Sequence, residues 1–173
     1  MDEQTSGQTD EQSAEQATEQ TGGDRYLVFR VGKATFAAPL LSIREIVEPL
    51  PCRAVPNTPI SFLGLVNLRG QIVGVMDLGI CFGLEPVCNE AGGVLLVFDY
   101  DAVAVAGLAS SVEAVTHIPQ DAITTERLAQ TEIPESALLG TADIAERLIP
   151  LVDLKGLIQP DVSETVAIAK TAA

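Results

Sequence analysis

The sequence predicts a mainly β fold, with two structurally similar β subdomains packed together and short helices at the connections. Three observations predict it. Short β-branched, aromatic and aliphatic runs alternate with Gly and Pro between Arg25 and Gln159. Helical spacing is confined to short pieces. The runs also recur at fixed offsets, which indicates an internal repeat.

The first 23 residues are Gln, Glu, Asp, Thr, Ser and Gly, with only Ala14 and Ala17 as apolar side chains after Met1. Such a segment cannot bury enough surface to offset chain entropy, so residues 1–24 are expected to form a disordered acidic tail. The ordered domain is expected over 25–159, divided into subdomains at about 25–90 and 91–159. The runs "YLVFRV", "ATFAA", "GLVNL", "QIVGVMDL", "GVLLVF", "AVAVAG" and "RLIPLVDL" read as strands. Their continuous apolar character implies burial on both faces, or strands turning the corners of a small barrel. Helix is expected around Leu40–Val47, at Asp121–Ala129 and as a last turn at Asp153–Ile158. Residues 160–173 are assigned to a C-terminal tail that either frays from a helix or stays irregular.

The repeat turns these elements into an architecture. "LVFRVGKATFAA" from Leu27 faces "LVFDYDAVAVAG" from Leu96 at an offset of 69 residues, and "SIREIV" faces "SVEAVT" at the same offset. At an offset of 76, "GLVNLRGQIVGVMDL" from Gly64 faces "GTADIAERLIPLVDL" from Gly140. Two units of about 65 residues would each be marginal alone, so an apolar seam between them is expected.

The formal charge of −14 excludes one class of partner. The first 24 residues hold seven acidic side chains and no basic one, and the remainder still carries 17 acidic against 10 basic residues. Phosphate backbones and anionic lipids are bound by clustered Lys and Arg, which this balance does not supply. No apolar run reaches the roughly 18 residues that span a bilayer, and the N-terminus lacks a basic and apolar leader. A cytoplasmic location without membrane insertion is expected. Cys52, Cys81 and Cys88 form no CxxC pair, which suits a reducing compartment.

Catalytic and cofactor chemistry finds little footing. The only histidine is His117, no GxSxG turn exposes a serine, and neither GxxxxGK[ST] nor GxGxxG occurs. No metal site and no cofactor are expected. Asp99-Tyr100-Asp101, between two strand runs, reads as a solvated hairpin turn.

Recognition is what remains. Arg69-Gly70 lies between two aliphatic runs, and its repeat counterpart is Ala145-Glu146. The reading is that the second unit lacks a turn of the same kind, so the fold closes this hairpin without an Arg-Gly pair. Gly70 would supply a positive φ, and Arg69 would project a multi-donor cation from the hairpin. Two readings of Arg69 stay open on the residues alone: a polar residue that merely suits a hairpin tip, or a recognition group. In Ile43-Arg44-Glu45-Ile46, placed in the first short helix, the isoleucines would face the core and the charges would face out, on a solvated or a recognition face.

These residues carry a resemblance. From about Tyr26 to Ile158 the sequence resembles the CheW-like family of chemotaxis coupling proteins. The matching segments are "YLVFRVGKATFAAPLLSIREIV", "CRAVPNTPISFLGLVNLRGQIVGVMDL" and, more weakly, "LLGTADIAERLIPLVDLKGLI". The resemblance implies two SH3-like five-stranded β-barrels packed side by side and a scaffold without enzymatic activity. The family bridges the cytoplasmic tip of a methyl-accepting chemoreceptor to the regulatory domain of a histidine kinase, and other CheW-like domains are further partners in receptor arrays. By resemblance the partner-binding residues are Ile43, Glu45, Gly64, Asn67, Arg69 and Gly70. Two departures stand out: Gly74 where the family often has Pro, and Ala109-Ser110 where it usually has Val-Asp. The alternatives are a specialised paralogue for type IV pilus motility or phototaxis, an array-capping module that does not couple, and an enzyme or ligand-binding barrel that has borrowed the fold.

Overall fold

The computed structural model of the chain describes residues 25–125 and 132–172. The acidic tail expected over 1–24, the part of the expected Asp121–Ala129 helix from residue 126 onward, and Ala173 lie outside the described residues.

The strands follow the repeat. The first unit contains β1 (Arg25–Val31), β2 (Ala34–Pro39), β3 (Glu45–Val47), β4 (Phe62–Leu68) and β5 (Gln71–Asp77). The second contains β6 (Val94–Tyr100), β7 (Val103–Ala109), β8 (Ser111–His117), the two-residue β9 (Ile123–Thr124), β10 (Leu138–Ile144) and β11 (Arg147–Val152). β1 and β6 begin 69 residues apart, and β4 and β10 begin 76 apart, as the sequence offsets require. A single-turn helix, α1 (Leu78–Cys81), follows β5, and 3-10 turns lie at Leu40–Ser42, Val87–Asn89, Gln120–Ala122 and Leu154–Leu157.

The sheets are assembled across the repeat. One has the strand order β3-β6-β7-β5-β4, and the other β8-β1-β2-β11-β10-β9. Replacing each strand by its counterpart converts the first order into the second, apart from β9. Each barrel therefore takes its first hairpin from the other unit: β6–β7 completes the barrel of β3–β5, and β1–β2 completes that of β8–β11. The register keeps the same symmetry, because the parallel pair Val75↔Ala106 has its counterpart in Leu151↔Ala37. The two barrels are thus not the contiguous segments 25–90 and 91–159. That division marks the repeat units, and the exchanged hairpins cross it.

The exchange explains the continuously apolar strands. In β1, Leu27, Phe29 and Val31 join the large core that spans both units, while Tyr26 and Val28 join a smaller core with Ala37, Ile118, Ala142, Ile149 and Leu151. Every residue of β7 is buried. Successive strand residues point to opposite faces, so a hairpin packed against its host barrel on one side and the seam on the other has no polar face. Phe36 meets Phe82 in the seam with ring centroids 4.5 Å apart.

Three segments differ from expectation. Of the helix expected at Asp121–Ala129, the described residues form the end of a 3-10 turn, Gln120–Ala122, and the strand β9, which pairs with β10. The helix expected over Leu40–Val47 is a 3-10 turn at Leu40–Ser42 followed by β3. Arg44 N donates to Val97 O at 2.7 Å and Glu45–Val47 pair with β6, so a long-range ladder overrides the local i,i+3 pattern. Ile43 is half-buried against the core, but Ile46 is exposed instead of facing inward.

The C-terminal tail expected over 160–173 is α2 (Pro160–Ala172). Pro160 suits the first helical position. Val162 and Val166, four residues apart, are buried in the main core. Lys170 Nζ donates to Ala102 O at 2.9 Å. Gly74 explains how the helix seats: a Cβ there would meet Val166 Cγ2 at 2.5 Å and Phe62 Cε2 at 3.0 Å. The departure from proline at this position is therefore a docking site for α2.

Asp77, buried at the end of β5, caps the connection that follows. Its Oδ1 accepts from the N–H groups of Gly79, Ile80 and Val87, and its Oδ2 from that of Cys88, at 2.8–3.3 Å. One carboxylate thereby satisfies four backbone donors that would otherwise lack partners. Its counterpart Asp153 accepts from Lys155 N at 3.0 Å.

Candidate functional site

The β4–β5 hairpin turns on two residues with positive φ, Arg69 at 51° and Gly70 at 85°. Both central residues of a type I′ turn need that conformation. Asn67 Oδ1 accepts from Gly70 N at 2.7 Å and fixes the tip. The counterpart turn also has two positive φ values, Ala145 at 52° and Glu146 at 63°. The expectation that the second unit has a turn of a different kind is thus incorrect, since both hairpins need the same geometry. What survives is that neither arginine nor glycine is required for it.

Arg69 Nη1 donates to Glu45 Oε2 at 2.8 Å, joining the hairpin tip to β3. The Arg69 side chain is 74% exposed and that of Glu45 24%. One bond uses one of five guanidinium N–H donors, and the exposed remainder can meet a carboxylate or carbonyl of a partner. Glu45 Oε1 faces Arg44 Nη2 at 3.4 Å. Arg44 also donates through Nη1 to Asp99 Oδ1 at 2.8 Å and through Nη2 to Gln71 Oε1 at 3.0 Å. Asp99, at the end of β6, thus holds Arg44 from the exchanged hairpin.

The other expected residues have different places. Asn67 and Gly70 shape the Arg69 turn, and Ile43 lies two residues before Glu45 as a half-buried edge. Gly64 is buried at a bulge in β4, where a Cβ would come within 2.3 Å of Arg53 O. Gly140 occupies the matching bulge in β10, where a Cβ would meet Thr124 O at 2.8 Å. Gly64 is therefore required by the close approach of the neighbouring backbone and is not on the surface with Arg69. From the sequence Arg44 reads only as an outward charge and Asp99 as a solvated turn residue, and nothing there points to Gln71. The contacts that join them span 27 and 55 residues of chain, which local pattern does not reveal.

The apolar seam expected between the two units bears on where a partner could lie. A cleft of about 260 Å³ does join the two units, lined in part by Pro59, Ile60, Cys81, Pro134 and Leu157. It lies at the base of the β4–β5 hairpin, a seven-residue strand and roughly 20 Å from the tip. The charged face and this cleft are separate features.

Reactive groups are quiet. Burial pushes the Cys81 thiol up to about 12, and desolvation likewise raises Cys52 and Cys88, so none is poised as a thiolate near neutrality. Among the described residues no three His, Cys, Asp or Glu side chains converge to hold a metal, and no helix is long and apolar enough to cross a membrane. Ser110, standing where the family usually has aspartate, accepts from Gly32 N at 2.8 Å and donates to Glu90 Oε2 at 2.8 Å. Glu90 thus supplies a carboxylate beside that position.

Comparison with known proteins agrees with this architecture. A profile described as CheW-like domain matches residues 25–164. The chain is 29% identical over 143 residues to a probable chemotaxis protein CheW of Rhizobium etli, covering 82% of this chain and 92% of that one. It is 26% identical over 142 residues to a chemotaxis protein CheW of Klebsiella aerogenes, covering 82% and 86%. The crystal structure of the scaffolding protein TtCheW from Thermoanaerobacter tengcongensis superimposes with a TM-score of 0.71 at 21% identity, over 79% of this chain and 88% of that one. With its two SH3-like barrels and a profile match across both, this chain belongs to the CheW-like domain family.

Proposed function

We propose that this protein is a non-catalytic adaptor that couples the cytoplasmic tip of a methyl-accepting chemoreceptor to the regulatory domain of a chemotaxis-type histidine kinase. The observation that carries this reading is the Glu45–Arg69 pair, displayed at a hairpin whose counterpart has the same turn but neither side chain. A turn that closes equally well on Ala145-Glu146 leaves recognition as the reason for the guanidinium.

Family membership and the names of the relatives support the chemotaxis role. Glu45 and Arg69 make the polar contacts to a partner, fixing register through charge. Asn67 and Gly70 present Arg69 by shaping its turn. Ile43 supplies an apolar edge, and Gly64 keeps β4 in register behind the face. The protein works in the cytoplasm within receptor arrays, where other CheW-like domains are further partners. The absence of an activated thiol and the acidic balance fit a protein partner better than a covalent substrate or a nucleic acid.

Reconstitution tests this reading. The kinase, a receptor signalling fragment and the adaptor are combined, and kinase autophosphorylation is followed with each component omitted. An adaptor is required for receptor control of the kinase. Receptor control without it, or inhibition on adding it, would instead identify a capping module.

A further inference from the structure

We infer that Arg44 is a positioning residue of the recognition face, holding Glu45 so that Glu45 in turn holds Arg69 toward the partner. The inference rests on the reading of Arg69 as a partner contact. Three observations carry it.

First, the contacts form a chain. Arg44 Nη2 lies 3.4 Å from Glu45 Oε1, while Glu45 Oε2 accepts from Arg69 Nη1 at 2.8 Å. The two oxygens of one carboxylate face two guanidinium groups, so the direction of Glu45 depends on both.

Second, Arg44 is itself anchored from two other strands. Asp99 on β6 and Gln71 on β5 accept from it at 2.8 and 3.0 Å. The planar fork of arginine can serve three acceptors at once, which a lysine ammonium on a flexible stem does less rigidly. Arg44 is 31% exposed against 74% for Arg69, so it sits behind the residue it supports.

Third, the second barrel carries a looser cross-strand tie at the matching positions, with the central charge inverted. The repeat places Glu113 where Arg44 stands, Arg30 where Asp99 stands and Arg147 where Gln71 stands. Glu113 Oε1 faces Arg30 Nε at 3.8 Å, and its Oε2 faces Arg147 Nη1 at 3.9 Å. The fold thus accepts either polarity as a cross-strand tie. The counterparts of Glu45 and Arg69 are Ala114 and Ala145, so the inverted tie has no pair to hold. Arginine at position 44 is the polarity that can grip a glutamate at position 45.

A double-mutant cycle tests this. Affinity for a chemoreceptor signalling-tip fragment and for a kinase regulatory domain is measured for the wild type, Arg69→Ala, Arg44→Ala and the double variant, each with a thermal melt. For whichever partner Arg69 contacts, each single change is expected to weaken binding roughly tenfold, with the double variant no weaker than Arg69→Ala alone. Independent, multiplying losses, or an Arg44→Ala variant that binds as the wild type while Arg69→Ala does not, would overturn the positioning role. If Arg69→Ala binds both partners normally, the recognition reading itself has failed, and the inference falls with it.

The exchange Arg44→Glu, Gln71→Arg, Asp99→Arg separates positioning from stability, because the second barrel already uses that arrangement. It is expected to melt like the wild type yet bind as weakly as Arg44→Ala, since a glutamate at position 44 repels Glu45. Wild-type binding by this variant would show that a cross-strand tie of either polarity suffices. Should the exchanged variant not fold, Arg44→Lys decides the matter: partial loss of binding supports the role of the fork, and wild-type binding overturns it.

Discussion

Placing a methyl group at Gly74 tests how α2 is seated. The Cβ of Gly74→Ala would come within 2.5 Å of Val166 Cγ2 and 3.0 Å of Phe62 Cε2, and both neighbours are buried. Valine in a helix has one strongly preferred χ1, so it cannot swing aside. Overpacking of this kind costs about 1–3 kcal/mol. Val166→Ala alone removes two buried methyl carbons and costs about 1.5–3 kcal/mol from transfer and cavity terms. Together the two changes largely cancel the clash, because the new methyl enters the space that Val166 vacates. The double variant is therefore expected to lose about 1–2 kcal/mol less than the sum of the singles. Urea unfolding followed by circular dichroism measures all three. Additive losses, or a Gly74→Ala variant as stable as the wild type, would refute the seating of α2 on β5.

Further predictions concern the two capping aspartates and the thiols. Asp77→Ala strands four backbone donors and is expected to cost about 3–5 kcal/mol, whereas Asp153→Ala removes a single-donor cap and costs about 1 kcal/mol. Equal shifts in their urea midpoints would contradict this difference. Titration with a thiol-reactive disulfide at pH 8 should label the exposed Cys52 and Cys88 first and the half-buried Cys81 more slowly in the native protein. Because burial raises the Cys81 value from 9.0 to about 12, its neutral thiol favours the native state below pH 9, and that contribution is lost as pH rises toward 12. Labelling of three thiols at equal rates in the native state would contradict the burial of Cys81.

How far the fold could be read from the sequence depended on the range of the interactions. The apolar runs located β1, β2, β4 to β7 and β11, because a strand's apolar run is a local property, whereas β8 and β10, with more polar runs, emerged only as counterparts in the offsets of 69 and 76 residues. Which barrel each hairpin completes is not local. The pairs Val75↔Ala106 and Leu151↔Ala37 decide it, and no periodicity distinguishes a hairpin kept from a hairpin exchanged. The segment Leu40–Val47 was misread for the same reason: Ile43 and Ile46 fit a helix face, but β6 offers β3 a ladder. α2 was obscure because Val162 and Val166 are its two buried residues, and their socket is the missing side chain of Gly74. At the candidate site, Arg69 and Gly70 were legible as a break in an aliphatic ribbon. Asp99 read as a solvated turn residue, although it ties Arg44 across 55 residues.

The central claim is that Arg69 serves a partner and not the hairpin. Isothermal titration of Arg69→Ala against a chemoreceptor signalling tip and a kinase regulatory domain, alongside a thermal melt, tests it most directly. Alanine already occupies the equivalent left-handed position at Ala145, and an exposed ion pair contributes little to stability. Stability is therefore expected to change by less than about 0.5 kcal/mol. Binding to at least one partner should weaken by about 1–3 kcal/mol. Unchanged affinity for both partners, or a variant that no longer folds, would contradict the account.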